Sequence, residues 1–521
     1  MTGGRVGAAL LVLLSTLLLA ACPNVDLSRY GPSDEDVDGF AAGTVAGFGS
    51  LRVAGTEFTD NASTTVADDR GRGIGDIVAG MAVTVRGSIG TDYARGAAAS
   101  VAIEREVRGP VDDDGVALDN NTIRVLGQTV LVTPATVIVD IGGGEIGLDG
   151  LKELQDDGRR PGLEVHGGTE DNGTIHAAYI ARVQDNVVDD DDAQLRGTIA
   201  EFDAASRSFR IGAQRVSYAG IPSDGRVDWP GTGLANGLVV DVRGYLDAVG
   251  GSGTLRTDRA GDRVAVIDAD LGETSDRVVL EGYVLSGGAA SFAMTVPGGT
   301  AAVESEVAPS GDAFGLRKKV RVEGTLSGSG GASVRARSVV VLRVLDVLLE
   351  GAPEDLSDAA DNTITLLGKT VETDRFTLFR DPKGGAREGF GLSSLGPGDI
   401  VRVIGRLDGS AASGIVEAAR VDRIDGTAGR AGLQGPVSSW VRPTSLSILG
   451  LTVNTSSARI DYYDLGGAAF ADRDAFYSRL EALGAGTLVR ARGGEFVSAH
   501  SRIDAPASGD RMEIEIVTVN R

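Results

Sequence analysis

Three kinds of side chain in this sequence could carry chemistry: imidazoles, clustered carboxylates and one thiol. The histidines are His166, His176 and His500. His166 and His176 flank a predicted hairpin turn at Glu170-Asp171-Asn172-Gly173, and imidazole is a common metal ligand. Near neighbours across a hairpin can also point to opposite faces, so no metal site is expected of them. Asp112-Asp113-Asp114-Gly115 and Asp189-Asp190-Asp191-Asp192 offer oxygen ligands of the kind calcium takes. Neither run has the alternating spacing and closing Glu of an EF-hand. Asp is favoured at turns, and solvated turns at unit boundaries are the better reading. The sequence holds neither a Gly-x-Ser-x-Gly elbow nor a Gly-x-x-x-x-Gly-Lys phosphate loop. Trp229, Trp440, Tyr462 and Tyr463 are possible stacking platforms, but packing residues account for them more simply. The expectation is no catalytic residue, no metal and no cofactor.

The thiol is different. Cys22 is the only cysteine in 521 residues, so it has no intramolecular disulfide partner. Arg5 precedes an apolar run from Val6 to Ala21. That run is shorter than the roughly 20 residues a spanning helix needs, and it ends in small residues as a signal peptide does. Leu19-Ala20-Ala21-Cys22 resembles the lipobox of bacterial lipoproteins. The resemblance implies cleavage between Ala21 and Cys22, a diacylglyceryl group on the thiol, and acylation of the new amino group. Two or more acyl chains make a stable anchor, since each buried methylene adds about 0.8 kcal/mol. A plain secretory signal with a chance cysteine is the alternative. Retention in the inner membrane is often signalled by Asp after the cysteine; Pro23 stands there, which favours the outer membrane.

The chain beyond the anchor is long enough for several domains. Gly is abundant at 76 residues and aromatics make up only 5%. Long helical patterns are scarce, and Val-rich alternation is common. This composition favours short strands joined by tight turns. The formal charge of −23 repels nucleic acid, so no nucleic-acid partner is expected. Residues 22–38 are polar, with Pro23, Pro32 and Asp34-Glu35-Asp36, and read as a flexible tether.

Beyond the tether one pattern recurs. Val83-Thr84-Val85-Arg86-Gly87 returns as Leu163-Glu164-Val165-His166-Gly167, Val240-Asp241-Val242-Arg243-Gly244, Val320-Arg321-Val322-Glu323-Gly324 and Val401-Arg402-Val403-Ile404-Gly405. Leu488-Val489-Arg490-Ala491-Arg492-Gly493 is a weaker last copy. Such alternation marks a strand with one buried face, and the Gly fits a bulge or a turn of positive φ. Gly43, Gly109, Gly197, Gly282, Gly351 and Gly435 open the units at uneven spacing, which argues against a solenoid. Between these parts lie hairpins such as Asn121 to Val130, Asn362 to Val371 and Ser445 to Val453. Each unit therefore reads as a strand, a hairpin, a short helical turn and two further strands. The fold class expected is all-β: about six tandem small OB-like barrels, with an open sandwich as the alternative. Their expected bounds are 39–107, 108–192, 193–276, 277–345, 346–426 and 427–521, after a signal peptide at 1–21. The best helix candidate is Asp472 to Leu483, with Phe476, Leu480 and Leu483 on one face.

Gly43 to Phe58, Leu126-Gly127-Gln128-Thr129-Val130 and Val83-Thr84-Val85-Arg86-Gly87 are similar to a bacterial domain-of-unknown-function family, number 5666. The resemblance is strongest in the first two units and the fifth, and weakest in the fourth. It implies a β-rich envelope lipoprotein and brings no catalytic residues with it. The function expected is a non-enzymatic structural or binding protein, anchored to a membrane and meeting an envelope protein or glycan, its barrels forming an extended rod. A carbohydrate-binding module array and an enzyme of unrecognised type are the alternatives.

Overall fold

The computed structural model describes residues 37–47, 50–220, 227–228, 233–249, 253–267, 270–328, 333–342, 344–381, 390–410, 414–427 and 429–517. The signal segment, Cys22, residues 23–36 of the tether and Trp229 lie outside the described residues.

Alternation dictates the first unit. In its return strand, Ala82–Ile89, Val83 and Val85 are fully buried while Thr84 and Arg86 face outward. That strand pairs antiparallel with the opening strand Val37–Gly47 and with the closing strand Arg95–Glu104. A hairpin, Leu51–Val53 and Thr56–Thr59, pairs with the opening strand on one side and runs parallel to the closing strand on the other. Five strands thus form a ring in the OB-type order, with an outer edge left only along Gly39 to Ala42 of the opening strand. The same ring recurs over residues 107–184, 192–266, 277–341, 347–424 and 430–516. In the fifth ring the opening strand Val347–Gly351 reaches its hairpin through an isolated bridge from Asp355 to Thr365. In chain order the rings are units 1 to 6.

Two glycine devices shape the rings. The Gly ending the return strand lies at a bulge in units 1, 2, 4 and 5. A Cβ on Gly405 would sit 2.2 Å from the Glu417 carbonyl oxygen across the ladder, so no larger residue fits. The hairpins turn on Ala54-Gly55, Leu126-Gly127, Leu367-Gly368 and Leu449-Gly450, with positive φ at both residues of each pair. That conformation matches the right-handed twist of the flanking strands.

Between hairpin and return strand, unit 6 carries a helix, Arg473–Leu483, capped by the Asp472 carboxylate on the Ala475 amide at 2.8 Å. Its buried face is Phe476, Tyr477 and Leu480. Leu483 was expected on that face but is 43% exposed, at the last helical residue before the Gly484 cap. Unit 2 has a helix at Gly147–Asp156, and units 1 and 5 have single 3-10 turns at Ile74–Asp76 and Leu392–Ser394. The described stretch between Ser305 and Lys319 of unit 4 holds no helix, contrary to the expected helical turn.

The rings join in pairs by their opening strands. Unit 2 pairs with unit 3 and unit 5 with unit 6, both antiparallel. Unit 1 pairs with unit 4 in parallel, Gly39 to Ala42 beside Arg277 to Leu280. Three sheets of twelve, thirteen and thirteen strands result. The expected extended rod is not built: chain neighbours and packing neighbours differ, and unit 2 touches units 1, 3, 4 and 5 through side chains.

Candidate functional site

The outward positions of the opening and return strands decide how the rings meet. Across each ladder one such pair stands opposite: Arg108 and Glu164, Arg196 and Asp241, Glu281 and Arg321, Glu350 and Arg402, Gln434 and Arg490. Units 2 and 3 place the cation on the opening strand, and units 4 and 5 place it on the return strand. In unit 1 the pair is Ala42 and Thr84. Directly opposed opposite charges stabilise a ladder by a few tenths of a kcal/mol to about 1 kcal/mol. Here neighbouring units also cover them.

The densest seam centres on Glu164. Its carboxylate meets Arg105 Nε at 3.2 Å, Arg72 Nη2 at 2.6 Å and His166 Nε2 at 2.9 Å. Arg105 also pairs with Asp68 and Asp69 of unit 1. Burial pushes the Glu164 carboxyl up, but the His166 hydrogen bond and the Arg105 and Arg72 charges hold it far below the usual range. Glu106 behaves in the opposite way: burial pushes its carboxyl up despite Arg196 and a hydrogen bond from Thr169.

A second seam leaves space. Where units 1, 2, 4 and 5 converge there is a cavity of about 480 Å³. Val45 and Ala54 of unit 1, Val132 and Ala177 of unit 2, and Leu378 and Ala418 of unit 5 give it apolar walls. One wall is polar. There the strand Lys319–Ser327 of unit 4 begins, and Lys318, Lys319 and Arg321 line the space beside Glu281 and Tyr283. Arg321 Nη2 lies 3.2 Å from Glu281, and Lys319 pairs with the other oxygen of that carboxylate. Burial pushes the Glu281 carboxyl up, yet Lys319 and Arg321 outweigh it and hold it down at about 2. Burial pulls the Arg321 guanidinium below its usual value, against Glu281. Phe376 of unit 5 lies 3.4 Å under that guanidinium. Its ring edge comes within 1.9 Å of where a Cβ on Gly55 would be, so Gly55 is needed for this approach as well as for its turn. Tyr283 is buried, which pushes its hydroxyl up, and its ring packs on His176 with centroids 4.6 Å apart.

The residues singled out in the sequence fall elsewhere or apart. His166 bonds to Glu164 and to the Glu104 carbonyl, while His176 bonds to Glu170 at 2.7 Å. The two do not converge, and His500 is exposed in a separate 3-10 turn. Among the described residues no group of three His, Cys, Asp or Glu could hold a metal ion. The acidic runs serve turns: Asp112 accepts the Gly127 amide, Asp189 the Val249 amide and Asp191 the Val188 amide. Tyr462 is buried against Phe476 and donates to the Thr455 carbonyl. Trp440 and Tyr463 are half-buried, and Trp440 packs on the shared core of units 5 and 6. Apart from His176, the residues lining the cavity drew no attention in the sequence as site residues. Their one signal was the pair Lys318-Lys319, two of only five lysines in the chain.

No helix among the described residues is long and apolar enough to cross a membrane. No curated protein matches the chain. The family model described as domain of unknown function (DUF5666) matches residues 108–181 and 354–421. Those segments run from the opening strand of unit 2 into its closing strand, and through most of unit 5. The chain thus carries a repeated domain similar to DUF5666, matched in its second and fifth rings.

Proposed function

We propose that this chain is a non-enzymatic binding protein of the bacterial cell envelope, held to a membrane, most simply the outer one, by lipid on Cys22. Its ligand site is the cavity between units 1, 2, 4 and 5. The observation that carries this reading is the cavity's make-up. Its volume of about 480 Å³ lies within the roughly 300–1,000 Å³ typical of small-molecule sites, which are mainly apolar with a few convergent polar groups. The carboxylates lining it are all engaged. Glu281 is held by Lys319 and Arg321, Asp374 accepts the Phe376 and Thr377 amides, and Glu417 pairs with Arg406. None is left as a free base, which favours binding over turnover. An array of independent sugar modules would need open barrel faces, and the opening and return strands spend theirs on neighbouring units.

The test is native mass spectrometry of the protein purified from its own envelope. Ala419 is a half-buried cavity residue, and Ala419→Trp fills the space. A small molecule carried by the parent and absent from a folded Ala419→Trp variant supports the reading. The same complement on both proteins refutes it.

A further inference from the structure

We infer that the cavity takes an amphipathic acid, an apolar body bearing one carboxylate, with the head against Lys318, Lys319 and Arg321. This rests on reading the cavity as a ligand site and adds the class of ligand. Three cations stand on the polar wall, and Glu281 is the one carboxylate paired to them. The Lys318 side chain has no ion-pair or hydrogen-bond partner among the described residues, and the buried Arg321 Nε has none either. With Asp374, which also lines the space and whose charge acts on Arg321, two carboxylates face these three cations, so this wall is short of one negative charge. The chain as a whole carries −23, which makes a cationic wall in its interior more telling.

The geometry also supplies a seat for a carboxylate. Tyr283 stands opposite Lys319 across the ladder, and its hydroxyl has no hydrogen-bond partner among the described residues. Paired positions send their side chains to one face of the sheet, and an O–H and an ammonium on that face can donate to the two oxygens of one carboxylate. Phe376 beneath Arg321 keeps water from that face of the guanidinium. The other walls are made by Val45, Ala54, Val132, Ala177 and Leu378. A bare phosphate would leave those apolar walls without contact, and a neutral sugar would leave the charge unanswered.

The experiment is isothermal titration of the full chain carrying Cys22→Ser with dodecanoate and with dodecan-1-ol, both below micelle formation. Dodecanoate is expected to bind saturably at one site and at least about tenfold more tightly than the alcohol, the scale of one charge-assisted hydrogen bond. Lys318→Gln is expected to remove that advantage while leaving alcohol binding and thermal stability unchanged. Equal affinity for acid and alcohol, or no saturable binding of dodecanoate, overturns the inference. The Ala419→Trp variant separates the two levels. If it blocks acid and alcohol equally well bound by the parent, the cavity stands as a site and the acid preference falls. If it binds dodecanoate as the parent does, the site reading itself falls.

Discussion

Arg105 Nε and Glu164 Oε2 meet at 3.2 Å with only 1% of either side chain exposed. They sit at a seam that Asp68, Asp69 and Arg72 of unit 1 complete. Glu164→Gln keeps the shape and removes the charge, so Arg105 and Arg72 lose a counter-ion in a dry place. Breaking one side of a buried pair costs about 3–5 kcal/mol. Urea unfolding of the variant is expected to show a loss of that size. A change below about 1 kcal/mol would mean the seam is wet. Glu106→Gln makes the contrast, because burial makes the charged form of that carboxyl costly; that variant is expected to be neutral or slightly stabilising at about pH 7.

Acid is expected to loosen the assembly as pH falls through the ordinary carboxylate range, before the depressed carboxyls themselves protonate. The Glu281 carboxyl is held at about 2, and the Glu164 and Asp68 carboxyls are also depressed. A depressed carboxyl binds fewer protons in the folded chain than in the unfolded one. Its stabilisation is present above the unfolded value, about 4.3 for Glu, and drains away as pH falls towards the folded value. Melting temperature followed from about pH 6 down to about pH 2 should therefore fall steeply below about 4.5. Glu281→Gln should flatten that slope. A slope unchanged by the substitution would remove Glu281 from the account.

Gly405→Ala should be far worse than an ordinary glycine substitution. The added methyl carbon would lie 2.2 Å from the Glu417 carbonyl oxygen, at a bulge where backbone faces backbone. Overpacking of this kind costs about 1–3 kcal/mol, occasionally more. Gly144→Ala is the control, since nothing lies within 4 Å of the new atom. Thermal unfolding of the two side by side should separate them clearly; similar values would argue that the ladder can give way.

Cys22→Ser should abolish incorporation of labelled palmitate while leaving export intact. Labelling of the variant at the parent's level would remove the anchor from the proposed function.

Much of the ring was legible because it depends on local chemistry. Val83, Val85 and their counterparts alternate with polar residues, and Leu126-Gly127 and Leu367-Gly368 mark their own turns. The arrangement of rings was not legible, since it depends on side chains that meet across great lengths of chain. Arg72 finds Glu164 at 92 residues' distance, and Arg420 donates to the Ala135 carbonyl from 285 residues away. In the sequence both arginines look like ordinary surface charge. The cavity was hidden for the same reason, as four units each contribute part of it. Leu483 misled because its helical spacing was right while its place at the last helical residue leaves it exposed.

The parallel seam between Gly39 to Ala42 and Arg277 to Leu280 has a consequence in time. Chains are made from the amino end at about 5–20 residues per second. Unit 1 therefore waits on the order of ten seconds or more after its own last strand for the strand that covers Phe40 and Ala42. During that wait it offers an open hydrogen-bonding edge, the template on which strands of other molecules pair. Crowding of nascent copies is then a hazard specific to the first ring, and a helper that shields it would act on the unfinished chain rather than on the mature protein.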